Sequence, residues 1–185
     1  MKTLLAAGLL VLAASHLMAL SIQETPQSEA ALEQHRWLEQ LLGEWTVSYS
    51  ATMEPGADPV LWTATESVRS IGGLWVVAEG SALSGHDPFT SLLTIGYDSG
   101  EERFVGTWID SMQTTLWTYV GSLDEEKQTL TLEAEGPSMF APGETVRYRD
   151  HFEILGPGHR RLTSTAQDEN GDWVTYMTSE AKRHP

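Results

Sequence analysis

The sequence predicts an all-β protein: an antiparallel, up-and-down barrel of about ten strands with one N-terminal helix. Three observations lead there. From Gly43 onward, short runs rich in valine, threonine, tryptophan and tyrosine recur between turn signals spaced about ten residues apart. No second helical pattern separates these runs, so a parallel sheet would lack its crossover helices. Antiparallel strands joined in this number by short turns usually close on themselves or form a sandwich.

The chain has 185 residues, which fits one domain. Residues 1–21 read as a signal peptide, 22–27 as a polar linker and 28–185 as the barrel domain. Met1 and Lys2 form a minimal positive end, Leu4 to Ala14 a continuous apolar run, and Ala19 and Ser21 supply the small residues that a cleavage site needs. The apolar run is too short to cross a bilayer. An exported, periplasmic or secreted protein is therefore expected. The chain contains no cysteine, so neither an acylated anchor nor a disulfide is available, and the fold must rest on its core.

Next comes "SEAALEQHRWLEQLLGEW", the one helical pattern. Ser28 is placed to cap it and Glu29 to complement its dipole. Leu32, Trp37, Leu38, Leu41 and Leu42 give most of an apolar stripe, and Gly43 stands where a left-handed cap belongs. The strands then follow at about 44–52, 60–70, 74–83, 89–98, 102–110, 114–122, 128–135, 145–154, 160–168 and 172–182.

The fifth and sixth strands, "RFVGTWIDSMQTTLWTYVGSLD", are the most informative hairpin. With a loop at Asp110-Ser111-Met112-Gln113, Trp108 is expected opposite Thr115 and Gly106 opposite Trp117. One face then carries Phe104, Gly106, Trp108, Thr115, Trp117 and Tyr119, and suits a barrel interior in which Gly106 makes room for Trp117. The other face, with Val105, Thr107, Ile109, Leu116 and Val120, suits the outside. In a meander, alternate loops share an end. One set (53–59, 84–88, 111–113, 136–144 and 169–171) is mostly long and gathers Met53, His86, Met112, Met139 and Phe140. The other set is mostly tight and shares its end with the helix. This predicts a closed base and an open mouth with apolar residues at its rim.

Gly43-Glu44-Trp45, on the first strand after a short helix, resembles the G-x-W signature of lipocalin and calycin barrels. That resemblance implies a tryptophan closing the base under a basic residue of the last strand, here Lys182 or Arg183. A closer likeness covers about residues 35 to 183. The runs "IGGLWVVAEG", "IGYDSGEERFVGTWIDSMQT", "LTLEAEG" and "VRYRD" resemble the domain-of-unknown-function 1579 family, whose members are bacterial and lipocalin-like and bring no established activity with them.

No nucleophile elbow, zinc-protease motif, phosphate-binding glycine loop or paired histidines are present, and no catalytic residue is assigned. Glu66, Glu79, Asp110 and Asp150 are acids within apolar strands. Two of them meeting inside could act as an acid–base pair; pairing with Arg69, Arg147 or Arg149, or exposure, is the plainer account. Met53, Met112, Met139 and His86 on one rim could suggest a soft metal, but packing explains them as simply, and neither metal nor cofactor is expected. The formal net charge of -15 becomes 10 − 26 = -16 without the leader, which disfavours nucleic acid and anionic membrane surfaces as partners. The expected function is binding of a small, largely apolar molecule. Trp108, Trp117 and Tyr119 would form its walls, Met112, Met139 and Phe140 its entrance, and Asp110 would orient a polar group. An enzyme using interior carboxylates and a protein-binding or homodimeric barrel are the alternatives.

Overall fold

The computed structural model describes residues 32–52, 56–84, 87–139, 141 and 143–185. The expected leader and linker, Ser28, Glu29, Met53, His86 and Phe140 lie outside them. Ten antiparallel strands form a closed barrel: β1 (Gly43–Ala51), β2 (Val60–Ile71), β3 (Trp75–Ser84), β4 (Asp87–Asp98), β5 (Arg103–Asp110), β6 (Trp117–Asp124), β7 (Thr129–Pro137), β8 (Thr145–Gly156), β9 (His159–Gln167) and β10 (Trp173–Arg183). Each strand pairs with its sequence neighbours, and β1 with β10 closes the ring from Trp45 opposite Arg183 to Ala51 opposite Met177.

The described helix is shorter than the sequence pattern. It comprises α1 (Glu33–Leu38) and one tight turn, Glu39–Leu41. His35 serves its first turn: the ring Nδ1 accepts the Leu32 N–H at 2.9 Å, and the buried ring meets Tyr97 edge-on. Trp37, Leu38 and Leu41 bury the apolar stripe against the lower barrel, where Trp37 contacts the Phe104 ring. Below mid-height the interior is solid with Val47, Ile95, Phe104, Leu130 and Leu132.

Trp45 is the centre of this base and is 1% exposed. Its indole N–H donates to the Leu41 carbonyl at 2.9 Å. The Arg183 guanidinium lies 4.7 Å from the ring centroid, as the G-x-W resemblance implies. A second guanidinium, that of Arg160 on β9, lies equally close. Gly43 makes Arg183's approach feasible. Its φ is 120°, and a Cβ there would stand 3.2 Å from Arg183 Cδ. Gly43 thus opens β1 and clears the way for the arginine, and does not act as a helix cap.

The informative hairpin keeps its predicted faces but not its register. Trp108 pairs with Trp117, Gly106 with Tyr119 and Phe104 with Gly121, a slip of two residues from the expected pairing. A slip of two leaves every side chain on its original face. The cause is Asp110, whose Oδ1 accepts the Met112 and Gln113 N–H groups at 2.7 and 3.2 Å and whose Oδ2 accepts the Gln113 side-chain amide at 2.8 Å. This carboxylate organises a turn that keeps Thr114, Thr115 and Leu116 out of the ladder, so β6 begins at Trp117. Gly106 is therefore not the space-maker for Trp117. A Cβ on Gly106 would meet the Thr94 carbonyl oxygen at 2.4 Å, whereas a Cβ on Gly136 of β7 would meet the Trp117 ring at 2.2 Å.

Candidate functional site

Above the solid base the barrel holds a chamber of about 540 Å³, reaching from Val47, Glu66 and Arg160 near mid-height to Gln113, Ser138 and Met139 at the long-loop end. Strand alternation supplies its walls: Tyr49 from β1, Trp62 from β2, Trp117 and Tyr119 from β6, Tyr148, Asp150 and Phe152 from β8, Arg160, Leu162 and Ser164 from β9. β10 departs from this rule. A bulge between Thr175 and Met177 turns Tyr176 inward beside Met177, so two consecutive residues line the chamber.

The upper wall is aromatic. Tyr49 and Trp62 stack at 4.8 Å and 3°. Trp117 meets Tyr148 edge-on at 4.9 Å, and Tyr148 meets Tyr176 at 6.0 Å. The rim segment after β7 is tied down. The Tyr148 hydroxyl donates to the Pro137 carbonyl at 2.7 Å and accepts the Met139 N–H at 3.2 Å, and Ser138 N–H donates to the Glu144 carbonyl at 2.8 Å.

The lower wall is polar. Glu66 and Arg160 form an ion pair with side chains 13% and 7% exposed. Asp150 accepts the Tyr119 hydroxyl at 3.0 Å on one oxygen and the Ser164 hydroxyl at 2.5 Å on the other. Protein surrounds its carboxyl, and what surface it keeps borders the chamber. Burial pushes the Asp150 pKa up, while the two hydroxyls pull it partly back. Burial likewise raises the phenols of Tyr49, Tyr119 and Tyr176, each further raised by the Asp150 charge.

The folded chain thus holds the Asp150 proton more tightly than the unfolded chain does. This group favours the folded state at low pH and costs stability as pH rises from the ordinary aspartate range through its raised folded pKa. Asp150→Asn should remove that component, so the variant's Tm should gain on the wild type as pH rises from 4 to 8. Glu133 titrates in both proteins, and because the Asp150 charge raises the His151 pKa, the comparison is made with His151→Gln in both proteins. A constant difference across that range would show that Asp150 does not have a raised pKa.

The residues predicted from sequence divide. Trp108, Trp117, Tyr119, Asp110 and Met139 border the chamber. Met112 is 69% exposed and does not. Trp108 and Trp117 stand at the same height, whereas the expected pairing with Gly106 would have set Trp117 two residues deeper. Asp110 accepts four hydrogen bonds, three within its turn and one from the Trp108 indole at 3.2 Å, which leaves it little capacity for a ligand. Of the other acids, Glu79 is exposed and faces Arg69, while Glu66 is answered by Arg160, a partner not considered from sequence. The sequence reading also passed over Tyr49, Trp62, Tyr148 and Ser164. Tyr49 follows Trp45 at the two-residue period and could have been found from it, Trp62 and Tyr148 share that period with Glu66 and Asp150, whose faces were left open, and Ser164 had no recognised inward neighbour on its strand.

Among the described residues no group of three or more histidine, aspartate or glutamate side chains is placed to hold a metal ion. The model of a family described as "Protein of unknown function (DUF1579)" matches residues 30–183. No curated protein matches the chain. Among solved structures, an S-type phycobiliprotein lyase, CPES, from Guillardia theta is similar with a TM-score of 0.55 at 13% identity, over 81% of this chain and 92% of that one. Rv2717c from M. tuberculosis is similar with a TM-score of 0.53 at 10% identity, over 84% of this chain and all of that one, 100%. At such identities the likeness is one of fold.

Proposed function

Because the chain belongs to the family described as protein of unknown function (DUF1579), which supplies no activity, we propose a function from the chamber: non-covalent binding of a small, largely apolar molecule. The observation that carries this reading is an unfilled interior of about 540 Å³ above a solid base, aromatic toward the mouth and polar at its floor. That volume lies within the range of small-molecule sites, and a few fixed polar groups in an apolar wall are their usual make-up. Trp108 and Trp117, side by side, would be met early by an entering ligand, with Met139 at the rim. Tyr119 would lie deeper.

A neutral apolar dye such as N-phenyl-1-naphthylamine should change tryptophan fluorescence saturably. Met139→Asp should weaken its binding by about tenfold, because a carboxylate at the rim must be partly desolvated. Ser99→Asp, in a turn at the opposite end, should leave binding unchanged and controls for added negative charge. Absence of saturation, or equal effects of both substitutions, would overturn the reading.

Export belongs to the same proposal. A leader at residues 1–21, followed by the linker 22–27, would deliver the barrel to the periplasm or medium and leave its N-terminus near Leu20 or Ile22. Sequencing the N-terminus of protein from its own host tests this, and a soluble cytoplasmic chain beginning at Met1 would refute it. The acidic surface argues against nucleic acid and anionic membranes as partners.

A further inference from the structure

The two ionisable centres on the chamber floor are unequally partnered. Arg160 is answered within the protein: Glu66 pairs with it, and the Trp45 ring lies 4.7 Å from its guanidinium carbon. Its Nε has no hydrogen-bond acceptor, and the indole face beside it offsets part of that loss. Asp150 has two neutral hydroxyl donors and no cation. None of the ion pairs among the described residues includes it.

The other groups near Asp150 do not repair this. Tyr49, Tyr119 and Tyr176 are phenols held protonated by burial. The neighbouring His151 engages Thr131 at 2.9 Å, and burial lowers its pKa, so it stays neutral at physiological pH. Once Glu66 and Arg160 offset each other, one carboxylate remains in excess at the floor, surrounded by protein and open to the chamber, while Asp110 at the rim is engaged by its own turn.

We propose that the chamber selects ligands with a protonated amine at one end of an apolar or aromatic body, the ammonium group seated against the Asp150 carboxylate. The proposal rests on the reading of the chamber as a small-molecule site and specifies its ligand class. An ammonium donor would complete the partners of Asp150, adding a charge-assisted hydrogen bond to the two hydroxyl bonds already present. An anionic head would instead meet Glu66 and Asp150, while Arg160, the one arginine bordering the chamber among the described residues, is already paired. The formal net charge of -15 draws cations toward the molecule from a distance.

Three probes with one body isolate the head group: 2-naphthylmethylamine, 2-naphthalenemethanol and 2-naphthoate. Isothermal titration against the full chain should show the amine binding about tenfold or more tighter than the alcohol, as expected for a hydrogen bond to a charged group. The carboxylate should bind weakest. Asp150→Asn should abolish the amine's advantage, bringing amine and alcohol to within about twofold of each other on that variant. The wild-type series stands without the variant should that variant fail to fold. If the alcohol or the carboxylate matches the amine on the wild-type protein, the ligand class is wrong while the chamber remains a binding site; if Asp150→Asn preserves the amine's advantage, the ammonium does not sit against Asp150 and the proposal is overturned. If none of the three binds, the small-molecule reading itself fails and the ligand class with it.

Discussion

Replacing Trp45 by alanine should lower the unfolding free energy by about 3–5 kcal/mol, the cost typical of truncating a fully buried large aromatic. Three separate contributions meet at this ring. Its indole is 1% exposed, so the whole apolar side chain is lost from the core. Its N–H satisfies the Leu41 carbonyl at the end of the N-terminal turn, which would be left without that donor. The Arg160 and Arg183 guanidiniums both rest on it, and Arg160 would face a cavity with Glu66 as its remaining partner. In a domain of this size the loss should lower Tm by roughly 10 °C. Trp45→Phe should cost less, because it keeps a ring and removes only the hydrogen bond and part of the volume. Chemical denaturation of the three proteins checks the order, and a loss below about 1 kcal/mol for Trp45→Ala would mean that this tryptophan does not hold the base.

Arg160→Met should be comparably damaging, for an electrostatic reason. The substitution preserves much of the apolar stem but leaves the Glu66 side chain largely buried without its ion-pair partner, and breaking one side of such a pair costs about 3–5 kcal/mol. The double variant Glu66→Leu/Arg160→Met removes both charges and should recover most of that loss, since an apolar replacement of a buried pair is often neutral. The recovery is the informative result, because simple loss of packing would make the two substitutions additive. If Arg160→Met alone is neutral, or if the double variant is worse than either single one, the pair does not fix the chamber floor.

Much of the architecture was legible because it follows from local rules. Runs of β-branched and aromatic residues at about ten-residue intervals gave the strand number, and the absence of a second helical period gave antiparallel closure. The hairpin faces were legible because side chains alternate with a period of two, and they survived a register slip of two residues. The slip itself was not legible. It depends on how many groups the Asp110 carboxylate gathers in its turn, which a count of loop residues does not contain. Tyr176 escaped for a related reason. The bulge at Thr175–Met177 breaks the alternation that would have placed it outside.

What the sequence by itself determined is the barrel, its N-terminal helix, the G-x-W base and the parity that puts the long loops together at one end. The helix and the strand rhythm arise from residues close in the chain, the loop parity from strict alternation, and the base from the resemblance carried by Gly43-Glu44-Trp45. What only the tertiary structure decided is which charges meet. Glu66 and Arg160 are 94 residues apart in sequence, and Asp150 receives hydroxyls from two other strands. Ring closure brings those strands around one interior, where low polarity makes partnership a matter of several kcal/mol. Asp110, well placed in sequence, is spent on its turn, whereas Asp150, one acid among several, is left facing the chamber without a cation.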